Sequence, residues 1–452
     1  MKVLHVPFCY YPDPVGGTEV YVASLAQAQA ADGWHVAVAA PGDENRKYSH
    51  EGIDVHRYRI SSQVGLREIY GAGDSEAARN FLDILERARP DVVHLHASSP
   101  GVSIRVAQAV RPKGVPVFFT YHTPAVTCVR GTLLRWGREA CDGEMLARRC
   151  SRCLLHGRGM PMAASWVLGS LPEAVGGAVG TFGLDGRLWT ALRSTELVGL
   201  LRSTLRQMLL HETDHVFAVC DWVRDVLIAN GVPPEKITLS RQGVPSSVTF
   251  ARQSQAPARE GQPIRFAFLG RLNAAKGVRI LVDAFAMRPE MKASLDIFGV
   301  VQDAEAEAMR GWLLEQTKSD GRIRLRAPLG SAEVIERLRS YDALLVPSQA
   351  LETGPLVVYE AFAAGIPVVG SALGGIAELV RDNENGILVT SPSVSAWADA
   401  MARLAGNSGV LGKLKAAPKP FRTAAAAASE VSAVYMKVLA DYRERVTAYS
   451  VA

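Results

Sequence analysis

Short runs of apolar and β-branched residues alternate with helical apolar patterns along most of the chain. In the first half these runs fall at residues 3–7, 35–39, 53–58, 92–96, 115–121, 216–219 and 237–239. A second series opens at 264–269 and continues at 294–298, 323–325, 343–346, 366–369 and 387–389. Runs without polar alternation are buried on both faces, and helices between them make the sheets parallel. Two successive doubly wound, Rossmann-like α/β domains are therefore expected, facing each other across a deep cleft, with ligands beyond the C-terminal strand ends. The stretch ARQSQAPAREGQP, residues 251–263, is polar and aperiodic and reads as a linker. The expected layout is a first domain over 1–250, that linker, a second domain over 264–420 and a helical tail over 421–452. One segment, 128–210, breaks the alternation with arginines, glycines and short apolar helices.

The 452 residues are 48% hydrophobic and 21% charged, enough for two or three ordinary cores. A net charge of +5 suits an anionic substrate or a membrane surface and is too small to argue nucleic acid. The start, MKVLHVPFCYYPDP, meets proline and aromatics before any secretory apolar core. No run of 18 uncharged apolar residues and no Asn-x-Ser/Thr sequon occurs. A cytoplasmic location is the expectation, with the six cysteines as thiols or metal ligands rather than disulfides.

Three segments sit at strand ends where a ligand would lie. Gly16-Gly17-Thr18-Glu19 follows the first strand and opens a helix. Adjacent glycines let the backbone approach a ligand, and a helix start favours an anion; an ordinary turn capped by Thr18 is the plainer alternative. Arg271 and Lys276 follow the first strand of the second domain, where two cations can neutralise a diphosphate without a metal. Glu352 and Glu360 flank Pro355, which suits a first helical turn. Carboxylates in so apolar a stretch need partners, and sugar or ribose hydroxyls would serve. Neither GxGxxG nor GxxxxGK[ST] occurs, which argues against dinucleotide and P-loop chemistry.

Arg271, Lys276 and Glu352-x7-Glu360, followed by AFAAGIPVVGSALGGIAELVRDNENGILV, resemble the donor-binding half of glycosyltransferase family four. The likeness extends through GGTEVYVASLA, DVVHLHASSP and FFTYHTP in the first half. It implies a GT-B fold, an acceptor-side first domain and retaining transfer from a nucleotide-diphosphate sugar to a glycan, lipid-linked or small-molecule acceptor. By this resemblance Arg271 and Lys276 bind the diphosphate, Glu360 the ribose and Glu352 the transferred sugar. His122 matches the family histidine beside that sugar, and Gly16 and Gly17 belong to the substrate site. Thr123 stands where many members carry Asp, and Gly354-Pro355 where many carry Phe-Gly. Because Pro355 has no N–H, backbone contacts to the donor fall to Gly354, Leu356 or Val357. Family members are usually assigned a front-face route in which the leaving diphosphate deprotonates the acceptor. Two cations and two helix N-termini would then replace a catalytic metal.

Other signals compete. His211-Glu212-Thr213-Asp214-His215 matches HExxH, but a strand expected from His215 removes the second histidine from the helix the motif requires. Cys128, Cys141, Cys150 and Cys153 form C-x12-C-x8-C-x2-C, which fits either a structural tetrathiolate zinc or free thiols in a polar loop. Cys9 and Cys220 read as small core residues. Residues 128–210 hold eleven Arg and no Lys, interleaved with Trp136, Met160, Met162, Trp166 and Trp189. They would dock on anionic lipid at a membrane surface or on a lipid-linked acceptor, or form a solvated lid. A nucleotide-sugar epimerase and a non-catalytic nucleotide-sugar-binding protein are the competing functions.

Overall fold

The computed structural model describes residues 1–13, 16–183, 186–245, 262–390, 392–417 and 419–451, the side chains of 443 and 445–451 excepted. Most of the expected linker, 251–263, lies outside the described residues. The chain divides into two compact units, 1–241 with 427–452, and 242–426.

The first unit holds strands β1 (Lys2–Val6), β2 (His35–Gly42), β3 (Arg46–His50), β4 (Ile53–Arg59), β5 (Val92–Leu95) and β6 (Val117–Tyr121). After a small hairpin of β7 (Leu134–Arg135) and β8 (Glu139–Ala140) come β9 (His215–Ala218) and β10 (Ile237–Leu239). Eight of these form one sheet in the order β10-β9-β6-β5-β1-β2-β4-β3, parallel except for β3. The order turns outward in both directions from β1 and β5, the switch point where such sheets bind ligands. All four residues of β5 and all five of β6 are buried, as unalternated runs require.

The interrupting segment supplies the hairpin and five helices, Ala147–Gly157, Met162–Leu168, Glu173–Thr181, Arg187–Leu192 and Ser194–Gln207. The helix expected as a tail, Ala424–Val451, is instead part of the first unit from residue 427 onward. Its Ala427, Ala428, Val431 and Tyr435 are buried, because an apolar stripe of this length needs a surface to cover.

The second unit carries β11 (Ile264–Arg271), β12 (Ala293–Val300), β13 (Ile323–Arg326), β14 (Ala343–Val346), β15 (Val368–Ser371) and β16 (Gly386–Val389). Pro367 cannot donate to a ladder, so β15 begins after it rather than at 366. The order is β13-β12-β11-β14-β15-β16, all parallel, with the switch point between β11 and β14. Phe266, Phe268, Phe285, Leu295 and Trp397 centre one core; Val358, Phe362, Leu344 and Ile376 centre the other, on the helix Leu356–Ala363.

Candidate donor site and a buried histidine row

In the second unit the predicted residues converge at the switch point. Arg271 ends β11, and Lys276 ends the short turn that follows. Gly277 closes that turn at φ +71°, with Pro347 behind it: an added Cβ would lie 2.0 Å from the Pro347 oxygen. Lys276 Nζ donates to Glu352 Oε1 at 2.6 Å, and Ser348 Oγ donates to the same oxygen at 2.7 Å. Burial pushes the Glu352 carboxyl up, but the Lys276 charge, the two hydrogen bonds and the nearby Arg271 outweigh it and hold it below the usual range. Glu352 is therefore ionised and balanced by a cation that the sequence assigns to a diphosphate.

The loop carrying Glu352 is fixed from behind. Gly375 N–H donates to the Glu352 carbonyl at 2.6 Å, and a Cβ there would meet Gly354 N at 2.2 Å. Gly354 stands at φ +87°, and Pro355 caps the helix Leu356–Ala363. The N–H groups of Leu356 and Val357 fall in the first turn, where helix geometry supplies no internal acceptor. Glu360 is buried in the second turn, nearer the helix start than two full turns. Among the described residues its carboxyl meets no ion pair or hydrogen bond, and burial raises it to about 7. The two glutamates thus differ in kind: one is a paired anion, the other a carboxyl waiting for donors.

In the first unit, the helix Gly17–Ala31 follows β1 with Gly16 at its cap. Glu19 rather than Thr18 does the capping, accepting the Gly16 N–H at 2.9 Å. A Cβ built on Gly17 would meet nothing within 4 Å, so the space above that backbone is open. His122 follows β6 and is buried, and burial lowers its imidazole to about 3. It belongs to a row that sequence reasoning missed. His5 Nδ1 and His96 Nε2 lie 2.9 Å apart, and His96 Nδ1 and His122 Nε2 lie 3.1 Å apart. His5 Nε2 meets Gln29 Oε1 at 2.8 Å, and His94 bridges Thr120 Oγ1 at 2.7 Å and the Tyr435 hydroxyl. The signal was the spacing in HLH: residues two apart on a strand share a face, and the register aligns His5 with His94.

The other candidates separate. His211 lies in the irregular helical turn Met208–Glu212, while His215 opens β9 and bonds Thr238 Oγ1 at 2.8 Å, so no helix presents both. Cys220 is buried and Cys9 half-buried. Cys128, Cys141, Cys150 and Cys153 all line one cavity of about 30 Å³. Cys153 Sγ accepts the Trp136 N–H at 3.4 Å and an Arg130 N–H at 3.6 Å, while burial pushes the Cys150 thiol up to about 11. Among the described residues, the three potential ligand atoms found mutually within 4.8 Å are those of His5, His94 and His96, so the sulfurs surround their cavity more widely than a closed tetrathiolate.

Residues 15–154 match Glycosyltransferase Family 4, and residues 249–418 match Glycosyl transferases group 1. A D-inositol 3-phosphate glycosyltransferase of Arthrobacter sp. is 25% identical over 409 residues, covering 86% of this chain and 82% of that enzyme. Among solved structures, sucrose-phosphate synthase from Thermosynechococcus elongatus aligns with a TM-score of 0.62 at 16% identity, over 99% of this chain and all of that one. The Anabaena protein Alr3699/HepE, solved with UDP-glucose, aligns at 0.58 and 14% identity, with coverage of 99% and 100%. These likenesses fit the two Rossmann-like sheets of the GT-B class. Carrying a family 4 domain ahead of a group 1 domain, the chain belongs to the glycosyltransferases.

Proposed function

We propose that the protein moves a sugar, with retention, from a nucleotide-diphosphate sugar to a glycan, lipid-linked or small-molecule acceptor. The observation that carries this reading is the Lys276–Glu352 pair beside Arg271, one helix start away from the buried Glu360. A donor diphosphate competes with Glu352 for Lys276 and recruits Arg271. Glu352, partly released, accepts hydroxyls of the transferred sugar, and Glu360 accepts those of the ribose. Leu356 and Val357 offer N–H groups to the phosphates, and Gly354 leaves the backbone open beside them.

The carbon–oxygen bond to the leaving diphosphate breaks first, giving an oxocarbenium-like ion paired with it. The acceptor oxygen attacks the same face, and its proton passes to the departing phosphate oxygen. Arg271 and Lys276 take the charge that develops, so no metal is required for this step. His122, with Gly16 and Gly17, is assigned to the substrate on the first unit. A screen of nucleotide sugars with released nucleoside diphosphate as readout tests the reading. Release without transfer to any acceptor, or conversion of donor to an epimer, overturns it, and the anomeric configuration of the product tests retention.

A surface reading is favoured by a separate observation. Met162, Trp166, Val167, Val175 and Leu188 on the helices of segment 128–210, with Phe182 just past the end of one, are large apolar side chains left exposed, and the Arg152 guanidinium carbon lies 4.1 Å from the Trp166 ring centre. No helix of the described residues is long and apolar enough to cross a membrane. Apolar side chains among arginines suit an interfacial contact with anionic lipid, where a lipid-linked acceptor would be held.

A further inference from the structure

Gln29, His5 and His96 form a hydrogen-bonded series that ends on His122, and the direction of every bond in it follows from its first member. Gln29 sits in the helix Gly17–Ala31, with its Nε2 donating to Ser432 Oγ at 3.2 Å and its Oε1 turned to His5. A carbonyl oxygen only accepts, so His5 Nε2 carries the hydrogen. In a neutral imidazole the other nitrogen is then bare, and His5 Nδ1 accepts from His96 Nε2–H at 2.9 Å. The same logic makes His96 Nδ1 the acceptor of His122 Nε2–H at 3.1 Å. His122 is left with its lone pair on Nδ1.

We infer that Gln29 is a positioning residue that sets the tautomer of His122 through His5 and His96, presenting Nδ1 of His122 as an acceptor. This rests on the proposed role of His122 beside the transferred sugar. In that role an acceptor nitrogen takes a hydroxyl hydrogen of the sugar and lowers turnover when reversed. The series transmits direction only while every ring is neutral. Burial keeps it so: His5 is lowered to about 4, His122 to about 3, and His96 well below its ordinary value. Among the described residues, the groups found against these three rings are His94, itself held neutral by burial, Tyr21 and Gln29, with Tyr435 across His94.

The ring nitrogens report the answer without any activity measurement. In full-length protein labelled with ¹⁵N-histidine, correlation spectra at neutral pH should show His5, His96 and His122 as Nε2–H tautomers, His122 assigned through His122→Gln. Gln29→Met removes the acceptor at similar volume and should give His122 a mixed tautomer, with kcat down by about tenfold and donor KM little changed. The wild-type spectrum covers the case in which the Met variant folds badly, because all three rings must read Nε2–H together if Gln29 sets the direction. An Nδ1–H form at His122 in the wild type, or a tautomer indifferent to Gln29→Met, overturns the inference. A tautomer that shifts as expected while turnover stays constant upholds the relay and instead removes His122 from the proposed reaction.

Discussion

Lys276 Nζ and Glu352 Oε1 stand 2.6 Å apart, so the cation expected to hold the donor is already held by the carboxylate expected to touch its sugar. The pair is part-buried, and Ser348 shares the same carboxylate oxygen. Each charge keeps the other in place, and in the proposed reaction a diphosphate and a sugar would divide them. Substituting one partner therefore disturbs both roles.

Replacing Lys276 or Arg271 by Ala should lower turnover by about 10²-fold or more, because charge on the leaving group goes unmatched. The two variants should differ in stability. Lys276→Ala leaves Glu352 short of a partner, at a cost of about 1–3 kcal/mol, whereas Arg271 is exposed and its loss should leave the melting temperature nearly unchanged. Donor kinetics with thermal melts measures both, and near-normal turnover in both variants would remove the diphosphate assignment.

Glu360, raised to about 7 by burial, should make nucleotide binding pH-dependent. Ribose hydroxyls favour the ionised form, so binding expels a proton and affinity should rise from about pH 6 to about pH 8. Phosphate ionisation contributes to wild type and variant alike; the slope that vanishes in Glu360→Gln belongs to Glu360. Its folded value lies above the ordinary carboxyl value of 4.5, so it subtracts stability as pH rises from about 4.5 to about 7. Glu360→Gln should thus melt higher than wild type at about pH 8. Titration calorimetry and melts over this range decide it, and parallel slopes would rule out the ribose role.

The histidine row should make the first unit acid-sensitive. His5 falls from 6.5 when unfolded to about 4 when folded, so the unfolded chain binds protons first. Stability is full above about pH 6.5 and is lost as pH falls toward 4, by roughly 3 kcal/mol for a single fully buried ring. Melting curves between neutral and acid pH test the sign; a Tm independent of pH through this window would contradict the buried, neutral row.

Zinc at the four cysteines is a proposal that the shared cavity and the N–H groups on Cys153 support. Four thiolates closing on one ion would draw the hairpin and the helix Ala147–Gly157 together, and binding would act as folding energy. About one zinc per chain is expected from protein purified without chelators. Cys153→Ser should release it and expose residues 130–158 to protease while nucleotide binding persists. Brief EDTA should leave turnover intact. A fully active chain without zinc or iron would defeat the proposal.

For the exposed apolar residues, Trp166→Glu and Phe182→Glu should each weaken binding to vesicles containing anionic lipid, and salt should weaken binding of the wild type. Equal binding of wild type and both variants would assign the arginines to a solvated face.

Much of this was legible in the sequence for a specific reason. Glu352, Glu360, Arg271 and Lys276 are charges in apolar text at strand ends, and such charges stand out. Ser348 and Gly375 did not, because a serine and a glycine are ordinary in loops and act here only through what the fold sets beside them. The HLH of β5 carried the period-2 signal, yet β6 and all of β1 after Lys2 are buried, which hides a polar face within an apolar run. The destination of the last helix was illegible, since its apolar stripe says that a partner exists and not which one.

The last helix also orders events in time. Residues 241 and 427 are both seams between the units, and Val244 pairs with Thr423 where the chain passes from one to the other and back. Tyr435 and Ser432 reach His94 and Gln29 only after everything between has been made. On the ribosome, the first sheet emerges early but leaves His94 without Tyr435 and Gln29 without Ser432 through synthesis of the entire second unit. The first unit therefore completes these two polar contacts only when the helix Ala424–Val451 arrives.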